Sequence, residues 1–233
     1  MKIMSFNVQH FANYSNDNKI DFESYAKAIK QYNPDIVGFN EVRGKGEAQG
    51  YENQTEIIAA LTGMKYHYFA EAIKIFGKNP YGNTILSKVP IIEVKTIPIP
   101  DPEPKTGDDY YETRCVLKAK LEGGINILIT HFGLNRDEQE NAVKIIMENL
   151  EDEKCILMGD FNVQPDSVIL EDIRKRMKDT ADVFSVPMCS HPSDAPDKKI
   201  DYIFVSQDIE IVSADIPEIC VSDHRPHITE LNI

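Results

Sequence analysis

Residues 155–162 read Cys-Ile-Leu-Met-Gly-Asp-Phe-Asn, and this segment has the pattern from which the fold of the whole chain can be predicted. Its first four residues form a short apolar run typical of a buried strand. The run leads directly into a carboxylate at Asp160 and an amide at Asn162. Asp and Asn are common in turns, so this segment alone could equally be a structural turn. The interpretation therefore depends on whether the pattern recurs.

The same arrangement, a polar side chain at the end of an apolar strand, recurs along the chain. The recurrences are Asn7 after residues 3–6, Glu41 after 36–40, His131 after 127–130, Asp201 before 202–205, and Asp223 with His224 before the last strand. In layered α/β folds such strand ends meet at one rim. Four carboxylates in one place require compensation, and oxygen ligands favour Mg²⁺ or Mn²⁺ over zinc. The two histidines offer proton transfer or charge stabilisation.

Between these positions, hydrophobic spacing predicts helices and strands that interleave. The predicted helices are 21–32, 53–61, 137–150 and 167–177; the predicted strands are 2–8, 35–41, 66–72, 84–87, 91–97, 114–121, 125–130, 155–158, 200–205, 209–214 and 227–231. Gly123-Gly124 is a hairpin signal within this order. The order predicts an α/β fold with mixed sheets. No repeat or linker interrupts it, so residues 1–233 are expected to form a single domain.

Composition limits the classes of function. The chain has 233 residues, 42% of them hydrophobic, and a net charge of −13, which disfavours tight nonspecific binding to nucleic acid. Bound metal cations would reverse the sign of the electrostatic potential near the site. A nucleic-acid substrate is therefore not favoured, but it stays an alternative. The four cysteines form no CxxC pair, and Cys115 and Cys155 are expected to be core thiols. Without a signal peptide or a membrane-spanning run, we expect a cytoplasmic protein, monomeric and without membrane contact.

Taken together in their order, seven short segments resemble the endonuclease/exonuclease/phosphatase superfamily, which includes DNase I, apurinic endonucleases, inositol polyphosphate 5-phosphatases and neutral sphingomyelinases. The segments are Ser5-Phe6-Asn7, Phe39-Asn40-Glu41, Gly82-Asn83-Thr84-Ile85-Leu86-Ser87, Thr130-His131, Gly159-Asp160-Phe161-Asn162, Ile200-Asp201-Tyr202-Ile203 and Ser222-Asp223-His224-Arg225-Pro226. The resemblance implies a DNase I-like four-layer sandwich, with two mixed sheets packed face to face and helices outside.

The resemblance also implies roles for particular residues. Asn7, Glu41 and Asp223 match the metal positions of the family. Asp160 and Asn162 match the pair that positions or activates the attacking water, and Asp201 and His224 match a dyad in which the carboxylate orients the imidazole. His131 matches a histidine of the nuclease and phosphodiesterase branches, and Arg114 matches a phosphate contact loosely.

Two allocations of the proton work remain open at this point. In one, Asp160 takes the proton from water and His224 stabilises the phosphoryl oxygens. In the other, the Asp201–His224 pair is the base and His131 assists the leaving group. Either way the expected reaction is hydrolysis of a phosphodiester or phosphomonoester by in-line attack of water, with Mg²⁺ or Mn²⁺ as cofactor.

The substrate is expected to be small. The acidic composition and the absence of a basic insertion argue against a grip on long polymers, and the loop 98–111 is a candidate for the wall that limits substrate size. The alternative is an endo- or exonuclease, which a basic stripe would support, but Arg174–Lys178 is expected to be a solvated helix face. A binding module that has lost catalysis is disfavoured because every metal and dyad position is occupied.

Overall fold

The computed structural model describes residues 1–233 and contains helices whose ends follow from the sequence. Helix α1 (Phe22–Tyr32) begins where the Asp21 carboxylate accepts a hydrogen bond from the Ser24 amide (3.1 Å), and it ends at Asn33 in a left-handed conformation. The others are α2 (Gln54–Thr62), α3 (Arg136–Asn149) and α4 (Glu171–Arg176), with 3-10 turns at Gln9–Phe11, Val168–Leu170 and Thr180–Val183. No helix combines the length and apolar character needed to cross a membrane.

Fourteen strands form two six-stranded sheets and one small hairpin. Their bounds are β1 (Lys2–Asn7), β2 (Ala12–Asn13), β3 (Lys19–Ile20), β4 (Ile36–Arg43), β5 (Tyr66–Ile75), β6 (Asn79–Ser87), β7 (Ile91–Pro98), β8 (Cys115–Leu121), β9 (Asn126–His131), β10 (Cys155–Asp160), β11 (Met177–Asp179), β12 (Asp201–Ser206), β13 (Glu210–Asp215) and β14 (His227–Asn232). The first sheet has the order β13-β14-β1-β4-β6-β5 and the second β11-β12-β10-β9-β8-β7. The pairs β1–β4 and β9–β10 are parallel and the others antiparallel, so both sheets are mixed, as predicted.

Alternation along the strands divides the core into three apolar layers. Ile127 and Ile129 of β9 face the first sheet and pack in one cluster with its Ile3, whereas Leu128 faces α3 and α4. On the opposite side, α1 and α2 cover the first sheet through residues such as Tyr25 and the strand residues facing them. Because each buried aliphatic side chain contributes about 1.5–3 kcal/mol, these layers hold the sheets together. The result is the predicted four-layer sandwich.

Gly159 controls the approach of β10 to β9. Its φ is +146°, and a Cβ placed there would lie 1.8 Å from the carbonyl oxygen of Thr130. Only glycine fits so close to a neighbouring backbone. The position matters because the next residue is Asp160, which this contact aligns with His131 across the strands.

Most predicted elements are confirmed, and the differences lie near turns and edges. Strands β5 and β6 extend further toward their connecting turn than predicted. The prediction stopped short because the residues near the turn, where Phe76 is exposed, do not alternate between apolar and polar. The helix predicted to reach Met177 ends at Arg176, since Met177 pairs with Ser206 at the sheet edge.

The predicted solvated helix face at 174–178 was wrong in part. Lys178 lies on β11 rather than on the helix, and Arg174 lies 3.6 Å from the buried carboxylate of Asp179. Cys115 and Cys155 are buried and unpaired, as expected of core thiols.

Candidate active site

Strand register brings several of the predicted polar residues to one edge of the sandwich. In the second sheet, Asp160 lies opposite His131 on one side and opposite Asp201 on the other. In the first sheet, Asn7 lies opposite Asn40. The fully buried Asn40 joins the two sheets: its side chain donates to the Thr130 carbonyl (2.8 Å) and accepts from the Asp160 amide (2.9 Å). Sequence reasoning gave Asn40 no such role.

Asp160 lies at the centre of this edge and is almost fully buried. Its Oδ2 accepts a hydrogen bond from the Asn7 amide (3.0 Å) and lies 3.5 Å from Nε2 of His131 and 3.6 Å from Nε2 of His224. Its Oδ1 accepts from the Asn162 backbone (2.9 Å). Burial raises the pKa of Asp160 to about 7, although His224 opposes that shift. The carboxylate therefore has polar groups around it on several sides.

Asp201 and His224 form the predicted pair. Oδ2 of Asp201 lies 2.8 Å from Nδ1 of His224, and the Asp201 side chain is completely buried. Burial by itself would lower the pKa of His224, but Asp201 and then Asp160 outweigh it and raise that pKa to about 10. The carboxylate thus fixes the ring and stabilises its charged form.

His131 occupies the other side of Asp160. Nη1 of Arg114 lies 3.2 Å from its Nδ1, and because a guanidinium can only donate, Nδ1 is the acceptor. In the neutral ring the hydrogen is then on Nε2, which lies 3.5 Å from the Oδ2 of Asp160. Burial, with Arg114 nearby, holds the pKa of His131 well below its ordinary value.

Glu41 and Asp223 lie at the more open part of the edge. Glu41 is half-buried, has a left-handed backbone (φ 63°) and accepts a hydrogen bond from Asn7 Nδ2 (3.1 Å). The Asn7 Oδ1 accepts from the Gln9 amide (3.1 Å), so the Asn7 side chain orients Glu41 and Asp160. Asp223 is also half-buried, and together with Glu41 it raises the pKa of Tyr25 beyond the effect of burial.

The charges and donor atoms fit a divalent cation. The basic groups near the site are Arg114, His224 and Lys199, which donates to the Asp201 carbonyl. They are outnumbered by five carboxylates in or beside the site: Glu41, Glu112, Asp160, Asp201 and Asp223. Burial, then Glu41 and Glu112, raise the pKa of Tyr81 well above its usual value. Acidic and histidine groups that could hold a metal are therefore present.

Besides Asn40, three residues of this region were missed by sequence reasoning. Tyr81 faces Glu41, Glu112 pairs with Arg114, and the His191 ring centroid lies 4.7 Å from that of His224. None of them ends a predicted strand with a polar group, which was the signal used for the others. The only available signal for Glu112 and His191 was their position in loops that lead to Arg114 and Asp201.

Comparisons with known proteins agree with the fold. Residues 4–224 match the sequence profile of the Endonuclease/Exonuclease/phosphatase family. Among solved structures, an endonuclease/exonuclease/phosphatase from Beutenbergia cavernae is 18% identical with a TM-score of 0.80, covering 100% of this chain and 71% of that one. A search among curated proteins finds no match.

Two other solved structures have a similar fold but different names. The mannosyl-6-phosphatase Bt3783 of Bacteroides thetaiotaomicron is 16% identical with a TM-score of 0.79, covering 100% of both chains. The human Nocturnin catalytic domain is 15% identical with a TM-score of 0.69, covering 100% of this chain and 93% of that one. At such identities the structures show the fold alone, whereas the profile covers nearly the whole sequence. The chain therefore belongs to the endonuclease/exonuclease/phosphatase family, whose members are generally hydrolases of phosphoester bonds.

Proposed function

We propose that this protein is a divalent-metal-dependent phosphoesterase that hydrolyses a phosphate ester by in-line attack of water. The observation that supports this most is the arrangement around Asp160. A single buried carboxylate has Asn7, His131 and His224 within 3.6 Å, and His224 is itself held by Asp201 at 2.8 Å. A binding module that had lost catalysis would not need to maintain so many buried polar groups, each costly to desolvate.

We assign the metal to the open part of the site. Glu41 and Asp223 would hold Mg²⁺ or Mn²⁺ through carboxylate oxygens, with Asn7 in a supporting position. When bound, the cation would neutralise charge on the phosphoryl group and polarise its oxygens. Asn7 fixes Glu41 in place through its amide hydrogen bond, so the ligand needs little rearrangement.

The geometry supports one of the two allocations of proton work. With a carboxylate on Nδ1, the His224 ring is favoured in its charged form, with a hydrogen on Nε2 directed toward the site. Such a ring can stabilise phosphoryl oxygens but cannot accept a proton. The proton of the attacking water would then go to Asp160, while Asn162 positions the water. His131, whose Nε2 carries its hydrogen, is placed to assist from the other side.

The loop 98–111 supports a small substrate. It is held against the start of α3, because Asp109 N donates to Asn135 Oδ1 (2.9 Å) and the Tyr111 hydroxyl donates to Asp137 (2.8 Å). The loop continues directly into Glu112 and Arg114, which contacts His131. A fixed wall beside an otherwise acidic site suits a compact phosphoester better than a long polyanion.

An activity screen tests this proposal. With Mg²⁺ or Mn²⁺, we expect hydrolysis of small phosphomonoesters or of bis-p-nitrophenyl phosphate, and poor activity on plasmid DNA and RNA. Because few substrate phosphates would be neutralised, KM should change little with salt once magnesium is saturating. Parallel preparations of the Asp160→Asn variant control for contaminating enzymes. Efficient plasmid nicking with a steep salt dependence would instead support the nuclease alternative.

Glu41→Gln tests the metal assignment. The substitution keeps the shape of the side chain but removes a charge, so we expect activity at limiting Mg²⁺ to fall by about 10–100-fold or more. High Mg²⁺ should restore part of that activity, because the loss arises from weaker metal binding. Glu47→Gln is the matched control, since Glu47 is an exposed carboxylate that pairs with Lys78 outside the site. Unchanged activity of Glu41→Gln at low Mg²⁺ would show that Glu41 is not a ligand.

A further inference from the structure

His191 lies beside the proposed site but has no part in the reaction described above. One donor atom from each of His191, Asp223 and His224 lies within 4.8 Å of the others. The Nδ1 atom of His191 is buried and has no hydrogen-bond partner. A buried nitrogen without a partner is costly, and a bound metal ion would satisfy it.

Hydrogen bonds hold this group in place. The segment carrying His191 is tied to the segment carrying Asp223 and His224: Ser193 N donates to the Asp223 carbonyl and Arg225 N donates to the Ser190 carbonyl, both at 2.7 Å. Ser193 Oγ also donates to the Ser222 carbonyl (2.5 Å), and Ser193 is completely buried. The three donor side chains therefore project from two backbone segments whose relative position is fixed.

The donor set differs from the oxygen ligands assigned to Mg²⁺. Two imidazoles and one carboxylate are typical of zinc and similar borderline metals. On His224, Asp201 occupies Nδ1 and leaves Nε2 for a metal, which gives the carboxylate–histidine–metal arrangement that commonly supports zinc ligands. His191 and Asp223 are half-buried, so their side chains can turn to bring donors to about 2.0–2.2 Å from an ion.

We propose that His191, Asp223 and His224 form a second metal site that binds Zn²⁺ or a similar transition metal and whose occupation inhibits hydrolysis. An imidazole nitrogen bound to zinc holds no hydrogen, so His224 could no longer stabilise phosphoryl oxygens. Asp223 would be shared with, or withdrawn from, the magnesium position. The inhibition rests on the proposed function, whereas the binding of the metal does not.

Cobalt titration of the metal-free protein tests binding without any use of activity. Co²⁺ replaces zinc in such sites and absorbs visible light strongly when bound by histidine in a low-coordinate geometry. We expect the wild type to develop this absorption at one equivalent and Zn²⁺ to displace it. His191→Gln and His191→Phe should lose it, the second variant keeping the ring that packs against His224. His67→Gln, which changes an exposed histidine on β5, should retain it.

Zinc inhibition at saturating Mg²⁺ tests the consequence. Each rate is compared with the zinc-free rate of the same variant, and we expect the half-inhibiting zinc concentration to rise about 10–100-fold in both His191 variants. Cobalt absorption equal to that of the wild type in either His191 variant would overturn the site. Equal zinc sensitivity in the wild type and the variants would also overturn it, because zinc would then act at Asp160 instead. If the protein hydrolyses none of the phosphoesters tested, the proposed function fails while the cobalt titration still decides the metal site.

Discussion

Replacing Asp160 with asparagine is expected to reduce kcat by about 10²–10⁴-fold, the contribution usual for a positioned acid or base. The change is nearly isosteric, but asparagine cannot take a proton from water. It also places an amide where Oδ2 now accepts from Asn7 and faces two imidazoles. KM should change much less than kcat, since Asp160 acts on the water rather than on the leaving part of the substrate. Steady-state kinetics at saturating Mg²⁺ measure both.

Stability provides a second readout that separates this role from a structural one. Burial, opposed by His224 and assisted by Asp201, raises the pKa of Asp160 from 3.8 to about 7. The stability contributed by the protonated carboxyl is present below the unfolded pKa and is lost as the pH rises through 7. Asparagine cannot ionise, so at pH 8 the metal-free variant should melt no lower than the wild type.

Asp179→Asn is the matched control for Asp160→Asn. Asp179 is similarly buried, but it pairs with Arg174 and Lys199 and makes no hydrogen bond to a proposed catalytic side chain. This control should lower the melting temperature and keep most of kcat. If Asp160→Asn instead melts well below the wild type and retains kcat, Asp160 is a structural residue and the proposed chemistry is wrong.

The fold was predictable because one rule links sequence to position in this chain. Alternating or continuous apolar runs identify strands, and the polar residue that ends a run lies at the rim where strand ends meet. Thus Asp160 and His131, which are the last residues of two neighbouring parallel strands, lie opposite each other. The roles of these residues in catalysis stay predictions, because proximity does not establish chemistry.

Residues on loops and between sheets could not be predicted in the same way. His191 has no apolar run beside it, and it reaches His224 only through hydrogen bonds between two loops. Asn40 was recognised only as part of a family segment, since nothing local shows that its amide joins two sheets. The end of α4 was missed because Met177 pairs with Ser206, almost thirty residues later. In each case the deciding contact is distant in sequence.

Asp201 and His224 are expected to act as one unit, so their substitutions should not be additive. Asp201 Oδ2 binds the Nδ1 of His224, and this is the hydrogen bond through which its side chain reaches the site. His224→Ala should reduce kcat by about 10²–10⁴-fold, and Asp201→Asn by a smaller factor, because asparagine can still orient the ring but cannot stabilise its charge. The double variant should be hardly worse than His224→Ala alone, since the ring that Asp201 orients and charges is already gone.

The double-mutant cycle distinguishes this pair from two independent contributors. Independent residues give losses that multiply, whereas a dyad leaves a coupling free energy close to the full effect of Asp201→Asn. Asp201 is completely buried, and its Oδ1 has no hydrogen-bond partner. An asparagine can place its amide nitrogen at that position without breaking a hydrogen bond, so Asp201→Asn should still fold. Melting temperatures of all four proteins check this. If the losses in kcat multiply across the cycle, Asp201 acts on the site by a route other than His224. The assignment of His224 as a cation held by Asp201 would then have to be abandoned.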